Sequence, residues 1–282
     1  MKYPIVAAVA MTALLSACGS SDDDDEGGVV TTPGGRTPTS TATPLETTGP
    51  ASRILAGSEA TSITFDETEN ELIVTSIPFD GEQFPSEYVR VPANDVGRYR
   101  AFADKDGLDT YRGYHGVSDS GNASVSLVVT GSYSDHGYYG AQFNRDVGVS
   151  LPTSTQKGFY TGDYLGARTD GTGPATLDVI TGRTELEVDF SDSAVRGRIY
   201  NRVAVQNQSG GAVDSQLIFT DSSLNREGGD YSGTVFTNDG TAISTVGTYD
   251  GALVGTNATE TVGIVQITDG SLRETGIYTA KQ

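Results

Sequence analysis

From residue 51 onward, apolar side chains recur at every second position in short runs, and turn-forming residues separate the runs. The clearest run is Glu185-Leu186-Glu187-Val188-Asp189-Phe190, which places Leu186, Val188 and Phe190 on one face and its three acids on the other. Val195-Arg196-Gly197-Arg198-Ile199-Tyr200 follows, with residues 191–194 between as a hairpin loop. Pairing Phe190 with Val195 sets Leu186 beside Ile199, Asp189 beside Arg196 and Glu187 beside Arg198. That register joins apolar side chains on one face and opposite charges on the other.

A second hairpin is expected from Ser124 to Tyr133 and back from Tyr139 through Phe143. Its register pairs Tyr133 with Tyr139, Gly131 with Ala141 and Val129 with Phe143, small residues facing each other where a sheet bends. Further strands are expected over 158–167, 214–220, 231–236, 243–249, 262–268 and 275–280. Strands spaced at roughly 8–15 residues, with few helix candidates, argue for an antiparallel barrel or sandwich, and about eight of them in series from Ser124 to the end favour the barrel. The expected fold is all-β, with a C-terminal eight-stranded antiparallel barrel over 121–282 and a smaller strand-rich subdomain over 51–120. In that subdomain 62–65, 72–76 and 99–102 read as strands, and Pro78, Pro85 and Pro92 interrupt the pattern.

Before residue 51 the pattern vanishes. Met1-Lys2-Tyr3 carries a positive charge, and Ile5 to Leu15 is an apolar run too short to span a bilayer, so residues 1–17 read as a signal peptide. The run ends in Leu15-Ser16-Ala17-Cys18, which resembles the lipobox of bacterial lipoproteins. That resemblance implies acylation of Cys18 and anchoring of the chain to a lipid bilayer. Gly19 after the cysteine, by the same resemblance, favours the outer membrane. Residues 18–50 hold the acidic block Asp22-Asp23-Asp24-Asp25-Glu26 and then Thr, Pro, Gly and Ser, a composition that cannot offset its ordering entropy. As a flexible tether it holds the body about 30 Å from lipid on average.

Composition narrows the function. There are 37 Asp+Glu against 18 Lys+Arg, a formal charge of −19, which argues against a nucleic-acid partner. The chain has one Cys, excluding intrachain disulfides and multi-cysteine metal sites. Its 36 Gly in 282 residues, about 13%, are nearly twice the usual share.

Two segments carry a wider resemblance. Val188-Asp189-Phe190 with Val195-Arg196-Gly197 resembles a strand–turn–Gly strand of the transferrin-binding protein B family barrel. Tyr249-Asp250-Gly251 through Asn257-Ala258-Thr259-Glu260 to Gly263 is similar to that family's closing signature, and Gly276-Ile277-Tyr278-Thr279-Ala280-Lys281 to its terminal strand. Leu253 and Val254 stand where the family has an aromatic, and Thr256 where it has Pro. The resemblance implies one handle-plus-barrel lobe of a surface lipoprotein that binds a host or environmental protein, or an iron-bearing ligand. A hemophore-like haem carrier is an alternative that it also implies, and a non-binding envelope protein is the third.

Candidate chemistry is sparse. Asp104, Asp106 and Asp109 surround Gly107 with a spacing seen in calcium loops, and a plain Asp-Gly turn explains the same residues. His115 and His136, the only two histidines, lie among Tyr111, Tyr114, Tyr138 and Tyr139, a setting suited to haem or ferric iron and equally to surface and core packing. Exposed loop aromatics such as Tyr138 and Tyr139 also suit a protein-binding rim. No nucleophile–base order, phosphate-cradling loop or zinc spacing is present in the sequence. The expectation is a binding protein without a cofactor and not an enzyme.

Overall fold

Period-two alternation requires each strand to bury one face, and two sheets meet that requirement differently. The structure, a computed structural model, describes residues 45–46, 50–75, 77, 85–105, 111–131, 137–152, 156–171, 177–206, 213, 216–238 and 243–282. Among them a short pair, β1 (Leu45–Glu46) with β10 (Ser150–Leu151), joins the start of the described chain to the segment between the sheets.

The first sheet contains β2 (Ala51–Ile54), β3 (Ser62–Asp66), β4 (Glu71–Thr75), β5 (Ser86–Arg90), β6 (Arg100–Asp104), β7 (Tyr111–Val117), β8 (Ala123–Thr130) and β9 (Tyr139–Arg145). Its spatial order is β2-β9-β8-β7-β6-β5-β4-β3, and it curls until its edges nearly meet. There the side chain of Gln142 accepts a hydrogen bond from the Ile63 N–H at 2.8 Å, which satisfies an edge group that a strand partner would otherwise take.

The second sheet is a closed antiparallel barrel of β11 (Lys157–Asp170), β12 (Leu177–Asp189), β13 (Ala194–Gln206), β14 (Gln216–Asn225), β15 (Asp230–Asn238), β16 (Ile243–Val254), β17 (Glu260–Asp269) and β18 (Leu272–Lys281). The all-β class and the C-terminal eight-stranded barrel therefore stand. The barrel starts at Lys157 rather than at residue 121, however, and the Ser124 hairpin belongs to the first sheet. The reason lies in β8, which buries both faces: Val125, Leu127 and Val129 enter one apolar cluster and Val128 another. A barrel strand with one wall in water would alternate more cleanly.

Both hairpin registers also differ from expectation. Asp189 pairs with Ala194, so Glu187 meets Arg196, Glu185 meets Arg198 and Leu186 lies opposite Gly197. This two-residue slip changes every partner and leaves every side chain on its expected face. Its cause is the Asp189 carboxylate, which accepts the N–H groups of Ser191 at 3.0 Å and Asp192 at 3.2 Å and starts the turn one residue early. Hydrogen bonds from Ser191 and Lys157 hold that carboxyl well below the usual carboxylate range. In the other hairpin Val129, not Tyr133, pairs with Tyr139, a slip of four: the ladder ends at Thr130, whose N–H bonds the Tyr138 carbonyl at 2.9 Å.

Tyr160, Tyr164, Phe219, Tyr231, Tyr249 and Tyr278 pack in a single apolar cluster inside the barrel. Glycines make the room. Tyr249 pairs with Gly233, Tyr231 with Gly251 and Tyr278 with Gly263, each ring lying across the bare Cα opposite. The phenol tips find partners: Tyr231 and Tyr278 hydroxyls lie 3.0 Å apart, and the Tyr249 hydroxyl donates to the Thr220 carbonyl at 2.7 Å. Burial pushes the Tyr249 phenol up to about 12. High glycine and high tyrosine are thus one feature, a barrel whose interior is filled by aromatic rings.

Ala42–Gln282 form one compact unit, and the first sheet packs on the barrel within it. Leu127, Tyr114 and Phe143 from the sheet share a core with Leu165, Val262, Ile264 and Ile277 from the barrel's outer wall. Polar clamps ring that core. The Tyr99 hydroxyl donates to the Asp163 carbonyl at 2.7 Å, and Glu260 accepts the N–H of Ser120 at 2.9 Å. Among the described residues that core takes the end of β11, the start of β12 and β16 to β18, and it leaves free the wall that runs from Phe159 on β11 to Phe236 on β15.

Candidate functional site

On that free wall lies a groove of about 900 Å³, lined by outward side chains of β11 to β15 together with Tyr160, Leu186 and Phe219 of the barrel core. Phe159 at its β11 end is 62% exposed, the most exposed large apolar side chain among the described residues. Ile218 and Phe236, paired across β14 and β15, are half-buried at the other end. Two ion pairs lie between: Arg196 to Glu187 at 2.8 Å and Arg198 to Glu185 at 2.7 Å. Lys157 adds a contact to Glu187 at 2.7 Å, the Tyr200 hydroxyl donates to Glu185 at 2.7 Å, and the Arg198 guanidinium lies 4.8 Å from the Tyr200 ring centre.

Hydrogen bonds from Tyr200 and Arg198 hold the Glu185 carboxyl below its ordinary value, and those from Lys157 and Arg196 do the same for Glu187. Pre-paired charges hold the wall's side chains in place, so a partner that docks here meets an ordered surface. A lipid-facing wall would not carry them. The floor is Gly197, and β14 bulges beside it: Val195 pairs with Ser222 but Gly197 with Phe219, leaving Thr220 and Asp221 looped toward the groove.

The residues singled out in the sequence are not brought together. Cys18, His136, Asp106 and Asp109 lie outside the described residues. Asp104 ends β6 opposite Tyr88 and is buried. Tyr139 is buried where the sheet meets the barrel, its hydroxyl donating to the Gly57 carbonyl at 2.8 Å and accepting from Gln266 at 2.5 Å, with Arg273 4.9 Å from its ring centre. It is a clamp rather than a rim residue. Tyr138 packs partly buried on the core of the first sheet.

His115 is 3% exposed in mid-strand, stacked on Phe65 at 4.3 Å with its Nδ1 2.9 Å from the Ser126 hydroxyl. This placement explains it as a core residue, and of the two histidines only His136 is left to a haem reading. The Ser126 contact is buried within the sheet, and burial, aided by the Arg100 charge, lowers the imidazole to about 4. A consequence is testable. The unfolded chain takes up this proton near 6.5 and the folded one only near 4, so the contribution is intact above 6.5 and is lost as pH falls toward 4. Urea melts between pH 7 and 4.5 should show His115→Gln with the flatter stability profile, by up to about 3 kcal/mol.

No family model matches the chain, and no curated protein matches it. Solved structures are similar. Transferrin-binding protein B of serogroup B Neisseria meningitidis is 14% identical, with 83% of this chain and 43% of that chain covered and a TM-score of 0.44. A mutant of the Haemophilus parasuis protein is 12% identical over 83% of this chain and 44% of that one, TM-score 0.45. The N-lobe domain of lactoferrin-binding protein B of Moraxella bovis is 13% identical, covering 83% of this chain and 99% of that one, TM-score 0.38. The chain spans less than half the length of the Neisseria meningitidis and Haemophilus parasuis chains. The arrangement of this chain, a curled sheet beside a closed eight-stranded barrel, rests here on its own strand pairing.

The groove residues carry a signal that the alternation analysis passed over. Leu217-Ile218-Phe219 and Val235-Phe236 are runs of consecutive apolar residues, so one member of each must face outward in a strand with a single buried face. Phe159 likewise shares a face with Thr161 and Asp163.

Proposed function

We propose that this protein is a lipid-tethered binding protein of the outer membrane that captures a protein partner on the free barrel wall. One observation carries the reading: the barrel interior is occupied by its own aromatic rings, whereas its uncovered outside presents apolar side chains among ordered charges. Exposed apolar groups rimmed by polar ones are the usual mark of a protein-contact surface. The Cys18 lipobox and the acidic tether agree with surface display, and the similar structures are of proteins named for binding transferrin and lactoferrin. Nothing in the groove pairs a nucleophile with a base, so the reading is binding without catalysis.

The test has two arms. Proteinase treatment of intact cells should digest the native chain, and Cys18→Ala should release it from the membrane fraction. Immobilised full chain should retain a defined protein from the cells' surroundings, and the Ile218→Asp/Phe236→Asp variant, folded by circular dichroism, should not. A chain protected inside intact cells, or equal capture by both forms, overturns the reading.

A further inference from the structure

We infer that the groove takes an extended polypeptide segment that sets apolar side chains at its two ends and a Lys or Arg against Asp221. The inference rests on the reading of the wall as a protein-capture face and specifies the chemistry of what is captured.

The length follows from the strands. Phe159 on β11 and Phe236 on β15 are four inter-strand spacings apart along the curved wall, about 19 Å of arc, so a segment that follows the wall between them needs at least about six extended residues. The manner of recognition follows from closure. Among the described residues every barrel strand has a paired neighbour on each side, so no whole strand edge is offered for main-chain addition, and recognition falls to side chains. Apolar contacts are available at Phe159 on one end and at Ile218 and Phe236 on the other.

The sign of the partner's charge follows from what is already neutralised. Glu185 and Glu187 are taken by Arg198 and Arg196. Asp221, exposed on the bulge that lines the groove, makes no ion pair or hydrogen bond among the described residues. Its cationic neighbour Arg196 is held by Glu187, so Asp221 is left without an ion pair of its own, on a chain whose formal charge is −19. A cationic segment is drawn toward such a body and an anionic one is repelled.

Two fluorescent octapeptides test this, identical in their Phe and Gly positions and carrying Lys in one and Glu in the other, each titrated with the full chain. The Lys peptide should bind, with affinity falling as salt rises, and the Glu peptide should bind at least about tenfold more weakly. Asp221→Asn should weaken the Lys peptide about two- to fivefold, the size of one exposed charge pair, and leave the fold intact. Ile218→Asp should abolish binding. Equal affinity for the two peptides, binding that survives Ile218→Asp, or no binding of either overturns the inference. The capture reading falls separately, on the intact-cell and immobilised-chain outcomes named for it above.

Discussion

Gly263→Ala should destabilise the barrel by about 1–3 kcal/mol or more, far beyond what a single methyl group does on a surface strand. A Cβ at this position would lie 2.2 Å from the Tyr278 hydroxyl oxygen, 2.3 Å from its Cζ and 2.5 Å from the Asp250 carbonyl oxygen. Neither neighbour can retreat. The Tyr278 ring is fully buried and hydrogen-bonded to Tyr231, and the Asp250 carbonyl belongs to the β16–β17 ladder. Chemical denaturation measures the loss. A double-mutant cycle assigns its cause: Tyr278→Leu alone removes a buried ring and costs stability, but combined with Gly263→Ala the total should fall short of the sum, because the methyl then enters vacated space. Full additivity would mean that the ring and the glycine do not depend on each other.

This dependence also shows what the sequence did and did not disclose. Alternation in 185–190 and 262–268 revealed strands and faces, because the side-chain period is a local property of the chain. The last eight of the expected strands are those that close the barrel. Partners were harder to read. Leu186 was expected beside Ile199 and instead lies opposite Gly197, because the carboxylate of the last residue before the turn decided where the turn begins, and both pairings satisfy the same pattern of faces. The boundary between sheet and barrel was not legible either, since Val125 and Val128 bury opposite faces for a tertiary reason that no spacing encodes.

The candidate site divides in the same way. His115 and Tyr139 drew notice for their chemistry and are occupied by packing. Ile218 and Phe236 drew none, though their place in consecutive apolar runs marked an outward hydrophobe. For a binding surface, the informative residue is the one that breaks the pattern of its own strand.

Glu274→Gln should produce the other large loss, about 3–5 kcal/mol, because it removes the centre of a buried ion cluster. Glu274 is 2% exposed inside the barrel. Its Oε1 accepts from the Tyr164 hydroxyl at 2.7 Å, and its Oε2 accepts from Arg168 at 2.8 Å and from the buried Arg202. Burial alone would raise this carboxyl, yet the Arg202 and Arg168 charges prevail and hold it below its ordinary value of 4.5. Arg168 is 20% exposed and can turn toward water when the carboxylate is lost, whereas Arg202 at 1% cannot. The Glu274→Leu/Arg202→Met pair should therefore recover most of what Glu274→Gln loses, since two apolar side chains carry no desolvation cost. The sign of the pH dependence follows. With the folded carboxyl below 4.5, the unfolded chain binds the proton first, so the cluster's contribution is complete above 4.5 and declines as pH falls below it. Urea melts from pH 6 to pH 3 should show the native chain losing stability more steeply than the double variant. Parallel profiles would mean that the cluster does not hold the barrel together through its charges.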